Sequence, residues 1–141
     1  MGGLVLKLSP KERLLINGAV IENGDRRSRL SVVTPNANIL RLRDAIHPDD
    51  ANTPVKRACY AIQLVLSGDT DIEDAKRSML KRLEELSQVF TDADSRAQLS
   101  RATEALIGDN PYQCLKSIRA LIPRETRILA HGMEQSPERS L

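Results

Sequence analysis

Leu14-Leu15-Ile16-Asn17-Gly18-Ala19-Val20-Ile21-Glu22-Asn23-Gly24 reads as two short apolar strands, each closed by a tight turn. Asn-Gly is a strong hairpin signal because both residues tolerate positive φ. The neighbouring sequence extends the pattern. Upstream, Leu4, Leu6 and Leu8 alternate with Val5 and Lys7. Downstream, Leu30, Val32 and Thr34 alternate with Arg27, Arg29 and Ser31. Pro35-Asn36 supplies a further turn, and Asn38, Leu40 and Leu42 then alternate with Ile39, Arg41 and Arg43. A period of two over short runs predicts four or five antiparallel strands before residue 44.

Near residue 44 the period changes to that of helices. Asp49-Asp50-Ala51-Asn52-Thr53-Pro54 is a polar connector in which Thr53 can cap and Pro54 suits the first helical position. The first helix directs Ala58, Tyr60, Ala61, Leu64 and Val65 inward and stops at Gly68. Thr70 and Glu73 form a capping box for the second, with Ile72, Ala75, Met79, Leu83, Leu86 and Phe90 along one face. Thr91 or Asp94 caps a third, buried through Leu99, Ala102, Leu106 and Ile107 and ended by Gly108. Asn110-Pro111 starts a fourth, running through Cys114, Leu115, Ile118, Leu121 and Ile122 to Pro123. A short fifth covers residues 124–130, and the tail from Gly132 is polar and expected to fray. The fold class is therefore α+β: a β module over residues 1–48 and a bundle of four to five helices over residues 49–141.

Composition narrows the function. Apolar residues at 40 % and charged residues at 28 % mark a globular chain. No window approaches the ~20 apolar residues of a membrane span, and Lys7 interrupts the N-terminal apolar run too early for a signal peptide. A cytoplasmic location follows, with Cys59 and Cys114 as reduced core thiols. His47 and His131 have no Cys or carboxylate at ligand spacing, so neither metal nor other cofactor is expected. Nucleotide-binding and nucleophile motifs are missing, and Glu84, Glu85, Asp92 and Asp94 suit solvated or capping positions. The expectation is a binding protein and not an enzyme.

Charge identifies the binding end. The net charge is +2, but residues 1–43 hold eight Lys/Arg against three acids. Such asymmetry points to a polyanionic partner. On strands, Arg27 and Arg29 share one face, as do Arg41 and Arg43. If residues 34–36 close a simple hairpin, Leu30 pairs with Leu40, Arg29 faces Arg41 and Arg27 faces Arg43. Like charges directly opposed are unfavourable by a few tenths of a kcal/mol, and phosphates filling the gap would relieve them. The aromatics Tyr60, Phe90 and Tyr112 all lie in the helical part, so the front has no stacking platform of its own.

The strings Leu14 to Gly24, Arg26-Arg27-Ser28-Arg29-Leu30, Asn38-Ile39-Leu40-Arg41 and Asp50-Ala51-Asn52-Thr53-Pro54 strongly resemble the FlbT family of flagellum-biosynthesis regulators. The resemblance runs from about Leu4 to Gly132. It implies a post-transcriptional repressor that associates with the 5′ untranslated region of flagellin mRNA and promotes its decay, together with the partner regulator FlaF.

The front is also similar to the RNA-binding regulator CsrA. The similarity lies in Glu12-Arg13-Leu14-Leu15-Ile16 and in the run from Arg29 through Pro35 to Arg43-Asp44-Ala45-Ile46. It implies a contact arginine at Arg43 and a strand-exchanged homodimer. A module of about 45 residues buries too little to stand alone. Where CsrA has an arginine pair at the end of the first strand, this chain has Leu8 and Ser9; Lys7, Lys11 and Arg13 are the cations available in their place. The expected RNA-binding set is Lys7, Arg27, Arg29, Arg41 and Arg43. The competing reading is a protein-binding adaptor or chaperone whose acidic helices hold flagellin or a FlaF-type regulator.

Overall fold

The computed structural model describes residues 4–35 and 37–134; the tail beyond lies outside the described residues. Among the described residues five strands precede five α-helices: β1 (Leu4–Leu8), β2 (Arg13–Ile16), β3 (Ala19–Glu22), β4 (Ser28–Val32), β5 (Ile39–Arg41), α1 (Pro54–Leu66), α2 (Ile72–Val89), α3 (Ala93–Ile107), α4 (Pro111–Arg119) and α5 (Ile122–Glu134). The expected α+β class and order of elements are found. All strand pairings are antiparallel, in a three-stranded sheet β3-β2-β5 and a two-stranded sheet β1-β4.

The first Asn-Gly pair turns as expected. Asn17 and Gly18 have φ of 50° and 84°, and Ile16 pairs with Ala19 across them. The second pair does not form a hairpin. Asn23 instead ties the loop down, its Nδ2 donating to the Ser9 carbonyl at 2.7 Å and the Arg26 carbonyl at 2.9 Å. The left-handed residue here is Lys11, whose N–H donates to the Gly24 carbonyl at 2.8 Å.

The expected β4–β5 hairpin is not formed either. Leu6 pairs with Leu30 and Lys7 with Arg29, while Leu15 pairs with Leu40 and Leu14 with Arg41. Arg29 therefore faces Lys7 and not Arg41. Two features hold β5 against β2. The Asn17 N–H donates to the Asn38 carbonyl at 2.8 Å, and the Asn38 N–H donates back to Asn17 Oδ1 at 2.9 Å. More importantly, β5 is buried on both faces: Leu40 enters the helical core, and Ile39 enters the β core. A solvated hairpin with β4 could not bury both. The strand also ends at Arg41, and Leu42–Asp44 is a turn of 3-10 helix, so Arg43 leaves the strand face.

Two apolar clusters result. The β core is Leu6, Leu8, Leu14, Val32 and Ile39, five buried side chains worth roughly 1.5–3 kcal/mol each. The larger helical core runs from Leu40 and Val55 to Leu121. Tyr112, half-buried on α4, packs against both. The small β core thus leans on the helices. In α1 the burial is rotated from expectation: Val55, Cys59, Ile62 and Leu66 are buried, whereas Tyr60, Ala61 and Leu64 are half-buried.

Caps follow the expected chemistry, with some shifts in place. Thr53 and Asn110 cap α1 and α4, each followed by proline. The α2 cap is Asp71, not Thr70, and the α3 cap is Asp92, not Thr91 or Asp94. Pro123 lies within the first turn of α5 and does not end α4, because proline needs no N–H partner there. On α5, the buried Glu125 carboxylate reaches across to the start of α1. It accepts the Val55 N–H at 2.9 Å and the Thr53 hydroxyl. Cys59 and Cys114 are free and buried, and burial pushes both thiols up to about 12.

Candidate nucleic-acid interface

Antiparallel pairing brings three of the expected residues together. Lys7 lies opposite Arg29 on the β1–β4 ribbon, and Arg27 enters β4 just before Ser28. Their side chains line a groove of about 360 Å³ with Leu8, Ser9 and Ser28. All three cations are exposed, and no carboxylate lines the groove. Among the described residues none of the three has an ion pair; Asp25 pairs instead with Lys11 at 2.9 Å. Opposed cations without a counter-ion are mildly unfavourable in the free protein, and an anion laid along the ribbon would relieve that repulsion.

Arg41 has a different setting. It is 8 % exposed, beneath the ribbon. Its Nε donates to Glu12 Oε2 at 2.7 Å and its Nη2 to Glu12 Oε1 at 2.8 Å, a two-pronged grip on one carboxylate. The same Nη2 donates to the Lys7 carbonyl at 2.6 Å. Glu12 also accepts the Ser9 N–H at 3.0 Å, which ties the β1–β2 turn to the pair. Chiefly through the Arg41 hydrogen bonds, the Glu12 carboxyl is lowered from 4.5 to about 2, against the opposing effect of burial. Arg41 is raised above its ordinary range by the same bonds. It therefore positions the backbone that presents Lys7 and does not share a solvent face with Arg43.

Arg43 is exposed, 3.6 Å from the Glu12 oxygen that Arg41 already holds. Beside it stand residues that sequence reasoning passed over. Tyr112, Lys116 and Arg119 of α4 line a cleft with Ile39, Arg41, Arg43, Asp44 and Leu115. The signal was present in the spacing: positions 112, 115, 116 and 119 form one helical stripe. Arg119 donates to the Asp44 carbonyl at 2.8 Å. Tyr112 of α4 thus brings an aromatic ring into the same cleft as Arg43.

Residues 4–129 match the model of a family described as flagellar protein FlbT. Similar proteins include a probable flagellum biosynthesis repressor protein FlbT of Caulobacter sp. strain K31, 30 % identical over 91 % of this chain and 97 % of that protein. The flagellum biosynthesis repressor protein FlbT of Caulobacter vibrioides is 29 % identical over 91 % of this chain and 90 % of its own length. A probable repressor of the same name from Bradyrhizobium diazoefficiens is 32 % identical over 89 % and 84 %. No solved structure matches the chain. Among the described residues, no helix is long and apolar enough to cross a membrane.

Proposed function

The chain belongs to the FlbT family of flagellar proteins, and from that premise we propose that it represses flagellum biosynthesis by gripping the 5′ untranslated leader of flagellin mRNA. The observation that carries this reading is the Lys7, Arg27 and Arg29 groove, three cations without an ion pair among the described residues, brought together on one ribbon. Phosphates supply most of the affinity in such contacts. Arg43, which shares the Glu12 carboxylate with Arg41, adds a further exposed cation, and Arg41 holds the backbone of Lys7 in place. Bound protein would cover the ribosome-binding region or expose the message to nucleases. No catalytic residue is needed for either outcome.

A filter-binding titration of the flagellin leader, with a scrambled leader as control, tests this directly. Wild-type protein is expected to prefer the true leader. The R27A/R29A variant is expected to keep its circular dichroism spectrum and lose affinity, with a salt slope reduced by about 0.7 for each phosphate contact removed. Wild-type affinity in that variant would refute the assignment.

A second reading is favoured by one observation. Ile128 and Leu129 on α5 are 44 % and 49 % exposed. Exposed apolar side chains on this helix are available to a protein partner such as flagellin or a FlaF-type regulator. Loss of repression in variants of α5, with leader binding intact, would give this adaptor role the lead.

A further inference from the structure

The cleft between the Arg43 turn and α4 has a volume of about 320 Å³. Its lining divides by chemistry. Ile39 and Leu115 are buried, and half-buried Tyr112 lies with them. Around these apolar groups stand Arg41, Arg43, Lys116 and Arg119, with Asp44 as the one acidic lining residue. The charges are only partly answered. Glu12 serves both Arg41 and Arg43, and Asp44 Oδ1 lies 3.6 Å from Arg119. Lys116 is exposed and has no ion pair among the described residues.

An aromatic and aliphatic lining beside a cationic rim fits a ligand with a flat apolar body and an anionic group. A bare phosphate or an acidic side chain would meet the cations and leave the apolar lining unused. A volume near 300 Å³ is at the small end of ligand sites, and a nucleobase of any sequence can stack on an aromatic side chain. We propose that this cleft is a nucleotide pocket, which takes one base against Tyr112 and its phosphate on Lys116 and Arg43. It is separate from the Lys7–Arg27–Arg29 groove, and it rests on the RNA reading only for the case in which the nucleotide belongs to a bound strand.

The two tyrosines and the lack of tryptophan make the test simple. Protein labelled with fluorotyrosine has two fluorine signals, which Y60F assigns. Four nucleoside 5′-monophosphates, inorganic phosphate and a four-nucleotide RNA are titrated separately. The Tyr112 signal is expected to move saturably while the Tyr60 signal stays. A response to monophosphates identifies a free nucleotide as sufficient; a response to the short RNA alone identifies a strand. K116E is expected to weaken the response about tenfold or more, the loss of one charge-assisted contact. R27A/R29A is expected to leave the Tyr112 response to the monophosphates in place, since the two linings share no residue. No movement of Tyr112 with any nucleotide, or equal movement of both tyrosines, would overturn the pocket. So would a response to inorganic phosphate as large as that to nucleotides, or an unchanged response in K116E. Leader binding without Tyr112 movement would remove the pocket and leave the RNA reading intact; Tyr112 movement without leader binding would do the reverse.

Discussion

Removing Arg41 should cost the fold far more than removing any other arginine of the front. Its guanidinium is buried and makes three hydrogen bonds, two to Glu12 and one to the Lys7 carbonyl. Taking away one partner of a buried pair leaves the other charge uncompensated, at about 3–5 kcal/mol. The Glu12 carboxyl gives an independent figure. It lies at about 2 in the folded chain against an ordinary 4.5, and that gap corresponds to about 3 kcal/mol of stability at pH 7. Because the folded value is the lower one, this stability is complete above about pH 4.5 and is lost as the pH falls towards 2. At pH 3 the folded carboxyl is still ionised and the unfolded one is mostly protonated, so about 2 kcal/mol has gone. Urea unfolding of wild type, R41A, E12Q and the double variant at pH 7 and pH 3 measures this. R41A should lower the midpoint by about 1–3 M at pH 7. The deficit should shrink at pH 3, and the double-mutant cycle should show coupling of about 1–3 kcal/mol. An R41A midpoint equal to wild type at pH 7, or a deficit that does not change with pH, would refute the account of Arg41 as the support beneath Lys7.

Glu125→Ala should leave the Val55 N–H and Thr53 hydroxyl without their acceptor and destabilise the chain by about 1–3 kcal/mol. Thermal unfolding measures this; an unchanged midpoint would show that α5 is not anchored through that carboxylate. The second expectation concerns association. All four residues of the edge strand β3 are exposed, Val20 at 64 %, and an edge of this kind invites a second copy. Sedimentation equilibrium should give twice 15.7 kDa at micromolar concentration, with Val20→Lys shifting the equilibrium towards monomer. A wild-type monomer would rule out the dimer.

What the sequence made legible was set by local rules. The Asn17-Gly18 turn, the Thr53-Pro54 and Asn110-Pro111 helix starts and the stop at Gly68 each depend on a few adjacent residues and the φ they allow. Helix starts with several adjacent candidates were misplaced by a residue or two, because Thr70 and Asp71, or Thr91, Asp92 and Asp94, can all cap. Strand pairing was not legible. Period-two alternation gives the two faces of β5, but which face meets solvent depends on helices that begin 13 residues after the strand ends. With β5 covered on both sides, the face opposite Leu40 needed a buried acid for its arginine, and Glu12 lies 29 residues away. Alternation cannot report such a pair.

The same burial changes how the basic surface should be dissected. Arg41 lines the α4 cleft with its side chain and donates to the backbone of Lys7 beneath the ribbon. It touches the setting of both cation clusters. An Arg41 variant that failed to bind RNA would therefore report a disturbed scaffold as readily as a lost contact. Arg27, Arg29 and Lys116 are exposed and have no ion pairs among the described residues, so their removal changes charge with little change in packing. Loss of leader binding in R27A/R29A, with a wild-type unfolding midpoint, locates the phosphates on the ribbon. Loss in R41A alone, recovered in step with stability by a compensating change at Glu12, assigns Arg41 to the scaffold. A stable R41A protein with wild-type ribbon geometry and no leader binding would place Arg41 in contact with RNA, against its burial.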